Sequence, residues 1–152
     1  MENKEKIVFE YTKHKELWKY MAQEKTIKRI VERAKEEGTT GAESISYIKG
    51  QFIKTKYNRK VICNCFACET INKIGCCTCC DCPIYIGNCT DSYGPGFYVE
   101  YENYIDLCLE AEYTEDEEDK NTYLGYAQEC ALKIANAKLN KESIEYYDIE
   151  VV

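Results

Sequence analysis

The sequence predicts an α+β fold that is mostly helical, in which a short β-hairpin carries a zinc-knuckle-like cysteine segment between N-terminal and C-terminal helices. Three observations predict it. Apolar residues recur at helical spacing near the start of the chain and again beyond residue 97. Residues 51–62 alternate instead, with Ile53, Thr55, Tyr57 and Val61 on one side and Lys54, Lys56 and Lys60 on the other, as a strand does. Between the helical regions, the window from Cys63 to Cys89 holds nine of the eleven cysteines.

Each element has its own signal. Over residues 3–24, Ile7, Tyr11, His14, Trp18 and Met21 form one stripe, with Val8 and Leu17 beside it and Lys and Glu opposite. A second helix over 27–37 is expected to be capped by Thr26, to bury Ile27, Ile30, Val31 and Ala34, and to end at Gly38. Asn58 and Arg59 can turn the 51–62 segment into a hairpin that feeds Cys63. Gly94, Pro95 and Gly96 break the chain. A helix from about Phe97 to Tyr113 follows, on Tyr101, Tyr104, Ile105, Cys108 and Leu109. Thr114 and Glu117 have capping-box spacing before a last long helix, striped by Tyr123, Ala127, Cys130 and Ile134 and ending near Lys138. These two helices are expected to pair antiparallel. The tail 142–152 reads as a helical turn or a short strand.

A chain of 152 residues suits a single domain. Within it, 1–62 is a basic helical and hairpin part, 63–92 a cysteine-rich metal-binding segment, and 93–152 an acidic, tyrosine-rich helical part. The formal charge is +6 over 1–62 and −13 over 63–152, for a net −7. The opening residues contain no apolar signal segment, and no run approaches a membrane span, so a cytoplasmic location is expected. Thiols stay reduced there, and an odd cysteine count opposes a closed disulfide framework.

Metal is therefore the expected role of the cysteines. Two C-x2-C turns bring four sulfurs to the corners of a tetrahedron, and Cys65, Cys68, Cys79 and Cys82 give C-x2-C-x10-C-x2-C. Cys63, Cys76, Cys77, Cys80 and Cys89 are alternates. Zn2+ is the expected ion; an iron–sulfur cluster is the alternative, because soft thiolates hold it equally well. A catalytic zinc is disfavoured, since the one histidine, His14, lies on an apolar helical stripe and reads as a core residue. No nucleophile–base set, glycine-rich phosphate loop or H-E-x-x-H is present, and a non-enzyme is expected. Cys108 and Cys130 read as small core residues.

His14, Leu17 and Trp18, with Cys65-Phe-Ala-Cys-Glu69 and the Cys79–Cys82–Pro83 turn, give the chain a resemblance to a known group. It resembles small cysteine-containing proteins of phages and prophages of Gram-positive bacteria, which share H-x-x-L-W, then C-x-x-C-E, then C-x-x-C-P, then a further cysteine, here Cys89. Ala131, Ile134, Ala135 and Leu139 echo that group's A-x-x-I-A-x-x-x-L. Cys63, Cys76, Cys77 and Cys80 are surplus to the pattern, as is the acidic insertion around 115–119. The resemblance implies a phage setting, and so the host cytoplasm, and a cysteine-bound metal. It implies no activity.

Three functions are consistent with these features. The first is a zinc-stabilised binding protein that inhibits a host protein, an anti-defence role of the anti-CRISPR kind. Its partner face would be the acidic run Glu115, Asp116, Glu117, Glu118 and Asp119, with neighbouring tyrosines, set into a basic nucleic-acid-binding groove. The second is a nucleic-acid-binding zinc module using Arg29, Arg33, Lys54, Lys56, Arg59 and Lys60, although Lys73 is the only basic residue between Cys63 and Cys89. The third is a thiol redox or iron–sulfur protein. Tyrosine-rich helix faces also allow a homodimer.

Overall fold

His14, Leu17, Trp18 and Met21 are all buried on one side of α1, Tyr11–Met21, as the stripe requires. The computed structural model describes residues 5–61, 64–75, 81–85 and 99–152. The helix expected over 3–24 is shorter at its start, because Val8–Phe9 form strand β1. The second helix, α2, spans Glu24–Glu37. Gln23 occupies its N-cap, not Thr26, which lies fully buried in the first turn. Gly38 ends α2 at φ 63°, the left-handed conformation expected of a terminal glycine.

The strand and hairpin expected over 51–62 are corrected. Helix α3 runs Gly41–Tyr57, with the Thr40 side chain accepting a hydrogen bond from the Glu43 amide at 3.1 Å. Asn58 closes it at φ 52°. The alternation misled because exposed lysines carry no directional information. Lys54, Thr55 and Lys56 are all solvated, while Ile45, Ile48 and Ile53 continue one helical stripe into the core. Helix α4, Phe66–Ile74, then begins directly after Cys65, so the first cysteine turn opens a helix and does not cap a hairpin.

Helices α5, Val99–Tyr113, and α6, Glu117–Ala135, are joined by residues 114–116 and make the most extensive helix–helix contact among the described residues. Buried Ala111, Ala127 and Ala131 hold little volume between them, and so short a link returns the chain antiparallel. Asp116 is the N-cap of α6, accepting from the amides of Glu118 at 2.8 Å and Asp119 at 3.2 Å. It displaces the expected Thr114 because a carboxylate satisfies two orphan donors and also faces the positive end of the helix dipole. Helix α6 ends at Ala135, short of Lys138.

The tail contains both elements that its sequence allowed. Helix α7 spans Lys141–Tyr146, capped by the Asn140 side chain, and β2 is Glu150–Val151. Strand β2 pairs in parallel with β1, Val8 opposite Glu150 and Phe9 opposite Val151. Among the described residues this is the sole sheet, flanked by seven helices. The core draws Phe9, Trp18, Ile30, Ile48, Phe66, Tyr104 and Ile134 from β1 and six helices. Buried hydroxyls meet backbone carbonyls: Tyr104 donates to Met21 at 2.8 Å and Ser44 to Ile30 at 2.7 Å. Among the described residues no helix is long and apolar enough to cross a membrane.

Candidate thiolate centre

The first two expected ligands share the start of α4. Cys65 is its N-cap residue, in extended conformation at φ −145°, and Cys68 lies in the first turn. This places both sulfurs at the positive end of the helix, where thiolate is favoured. Cys65 is fixed from behind by its neighbour Asn64, at φ 50°, whose amide donates to the Ser46 carbonyl at 2.9 Å and reaches the Ser46 hydroxyl at 3.0 Å. Gly50 permits this approach, since a Cβ there would meet the Asn64 Oδ1 at 3.1 Å.

The Cys68 side-chain hydrogen bond, helped by nearby Lys49 and His14, holds Cys65 well below the ordinary thiol pKa. The same shared hydrogen bond and the Cys65 charge push Cys68 up, with burial and Cys82 adding to the effect. The two neighbouring sulfurs thus drive each other's pKa values apart. A divalent ion that displaces the Cys68 proton would convert the repulsion into two bonds.

Cys82 is buried, and its segment is held by the C-terminal tail. The Ser143 hydroxyl donates to the Asp81 carbonyl at 2.7 Å, the Tyr147 hydroxyl to the Asp81 carboxylate at 2.7 Å, and the Asn140 amide to the Pro83 carbonyl at 2.8 Å. Ile84 and Leu139 form an antiparallel bridge. Of the expected ligands, Cys65, Cys68 and Cys82 lie among the described residues; Cys65 and Cys68 share the start of α4, and Cys82 lies on the separate 81–85 segment. Cys79 and the alternates Cys63, Cys76, Cys77, Cys80 and Cys89 lie outside the described residues, as do the Gly94–Gly96 break, Tyr93 and Tyr98. Among the described residues no group of three or more His, Cys, Asp or Glu side chains is placed to hold a metal ion. Cys65, Cys68 and Cys108 are free of disulfides.

His14 is a core histidine, 1% exposed. Its Nε2 lies 2.9 Å from the Ile134 carbonyl and so carries the proton. That tautomer leaves Nδ1 as a buried lone pair with no partner among the described residues. The ring stacks on Tyr11 with centroids 6.0 Å apart. Burial lowers its pKa below the usual 6.5, against a smaller opposing pull from Cys65. The unfolded chain therefore takes up the proton first as pH falls. Stability is complete above about pH 6.5 and declines as pH drops through that value toward the lowered folded pKa, by at most about 1.4 kcal/mol per unit. In denaturant titrations between about pH 7.5 and 5.5, the wild type should lose about 1 kcal/mol more than His14→Gln. Equal losses would show that the buried imidazole protonates freely.

Lys49 was not legible as a functional residue. It is 3% exposed, and its ammonium lies 4.7 Å from the Tyr101 ring and 5.5 Å from the Trp18 ring. The signal was present: one lysine interrupts the stripe Ile45, Ile48, Phe52, Ile53. Cys108 is a core thiol as expected, pushed up to about 12 chiefly by burial, whereas Cys130 is only half-buried.

The acidic run is on the surface. Glu115, Asp116, Glu117, Glu118 and Asp119 are all exposed, next to Tyr113 at 78% exposure. Among the described residues none of the five is in an ion pair. The basic residues are partly spent internally. Arg59 grips Glu10 with both terminal nitrogens and faces Glu69 at 3.9 Å, Arg33 covers the Tyr47 ring at 3.3 Å, and Arg29 donates to Tyr20 at 3.1 Å. Lys54, Arg59 and Lys60 line an open groove of about 510 Å³ with Gln51, Asn58 and Tyr47.

No family model, curated protein or solved structure matches the chain.

Proposed function

We propose that the chain is a non-enzymatic, zinc-stabilised binding protein. One observation carries the metal reading: Cys65 and Cys68 lie together at the start of α4, and Cys82, whose charge acts on Cys68, comes from a second segment that is separately anchored. Cys79 is the fourth ligand in this reading. Zinc bound by four thiolates has no open position and serves to tie the two segments together. The absence of catalysis is supported by His14, the sole histidine, whose Nε2 is committed to a carbonyl inside the core.

The partner face is the exposed acidic start of α6 with Tyr113. Among the described residues none of its carboxylates is in an ion pair, so the run presents a concentrated negative charge to a partner. In this reading the partner is a host protein whose basic nucleic-acid-binding groove the acidic face fills and blocks, an anti-defence action of the anti-CRISPR kind. The resemblance to phage proteins supports that setting.

Elemental analysis of untagged protein, purified anaerobically without added metal, tests the centre. One zinc per chain and a spectrum without visible bands are expected. Iron with sulfide would overturn the ion, and absence of metal would overturn the centre. Pulldown from host cells should recover a partner whose binding weakens as salt rises, and salt-independent binding would remove the acidic face from the interface.

The groove lined by Lys54, Arg59 and Lys60 favours a second reading, a nucleic-acid-binding zinc module. It predicts a salt-sensitive mobility shift of DNA or RNA near physiological ionic strength. No shift there would set this reading aside.

A further inference from the structure

We propose that Lys49 is the buried counter-charge of the cysteine centre, a positioning residue that makes the site a receptor for a thiophilic divalent cation held by thiolates. This inference rests on the metal reading above.

An ammonium removed from water requires an anion or a full set of acceptors. Lys49 has neither within its immediate surroundings. Its one hydrogen-bond partner is the Tyr101 hydroxyl, at a long 3.4 Å, and two aromatic faces, Trp18 and Tyr101, supply the rest. Among the described residues no carboxylate forms an ion pair with it. Aromatic faces replace only part of an ammonium's hydration.

The anion that this charge faces is identified by the geometry of α3. Ser46, Lys49 and Gly50 share one face of the helix, at spacings of three and four. Asn64 is hydrogen-bonded to Ser46 and packed on Gly50, so the chain entering Cys65 lies directly on that face. A zinc site of three or four thiolates carries one or two net negative charges, and one buried ammonium offsets one of them.

The test is zinc affinity, measured by competition with a chromophoric chelator, for the wild type and Lys49→Met. Methionine keeps the length and the aromatic contacts and removes the charge. Affinity should fall tenfold or more, the range found when groups supporting metal ligands are removed. Co2+ substitution should still give thiolate-to-metal charge-transfer bands in the variant, showing that the ligands are intact. Thermal melts add a sign that ordinary packing does not produce. The metal-free variant should be as stable as metal-free wild type, and the zinc-loaded variant less stable than zinc-loaded wild type.

Equal zinc affinity in the two proteins would overturn the counter-charge and leave the metal centre standing. Equal destabilisation of the metal-free and loaded forms would reduce Lys49 to packing. A wild type that takes up no zinc would overturn the metal reading and this inference together. If Lys49→Met does not fold, Tyr101→Phe removes the single hydroxyl that fixes the ammonium, and should weaken zinc binding about threefold. Unchanged affinity in that variant would also overturn the proposal.

Discussion

Replacing Cys65 and Cys68 together by serine should abolish zinc binding and lower the thermal midpoint by about 10 °C or more. The two residues supply half of the proposed ligand set from one turn of α4, and the remaining proposed ligands, Cys79 and Cys82, cannot close a tetrahedron alone. Structural zinc contributes several kcal/mol of folding free energy, and for a domain of this size each kcal/mol moves the midpoint by about 2–4 °C. The control is Cys108→Ala on α5, a buried thiol that should leave the zinc content at the wild-type level. Elemental analysis beside a calorimetric scan reads both quantities. A double variant that retains stoichiometric zinc would place the ion on other cysteines.

Trp18→Ala should be the most damaging single change in the core, at about 3–5 kcal/mol. Trp18 is 2% exposed and meets Tyr101 and Tyr104 edge-to-face at 5.8 and 5.7 Å. The indole is also one wall of the Lys49 pocket. Its N–H has no acceptor among the described residues, so the loss is packing and cavity formation, with no hydrogen bond removed. Trp18→Phe keeps most of the ring area and should lose about 1–2 kcal/mol. Urea titrations of the two variants check the ranking. A loss under about 1 kcal/mol for the alanine variant would mean that the helices close over the vacated space.

The helices were legible wherever burial imposed a stripe. Ile27, Ile30, Val31 and Ala34 lie as their spacing required, and the α5–α6 hairpin follows from its own periodicity. The error at 51–57 has a physical source. Exposed Lys54 and Lys56 alternate by chance, and a solvated face obeys no period; the core contacts in that stretch come from Phe52, Ile53 and Tyr57. Local capping was read imperfectly because several polar residues compete at each helix start: Asp116 outbid Thr114, and Gln23 precedes Thr26. In the candidate centre, the C-x2-C spacing placed Cys65 and Cys68 together. The residues that surround the centre come from far along the chain. Lys49 reaches it from α3, and Asp81 is gripped by Ser143 and Tyr147. No local pattern announces a contact between positions 62 or 66 residues apart.

The pairing of β1 with β2 has a consequence for synthesis of the chain. The Glu150 amide donates to the Ile7 carbonyl at 2.9 Å and the Val152 amide to Phe9 at 3.0 Å. A nascent chain released from the ribosome only as far as Ala135 can already assemble α1 to α6, yet its first strand has no partner and the Cys82 segment no clasp. Both are delivered within the final stretch, by α7 and β2. Translation proceeds at about 5–20 residues per second, so residues 136–152 follow within about 1–3 s. Joining ends so distant in sequence is also entropically demanding, which makes it a late event. Completion of the fold therefore awaits residues 141–151, which carry α7 and β2.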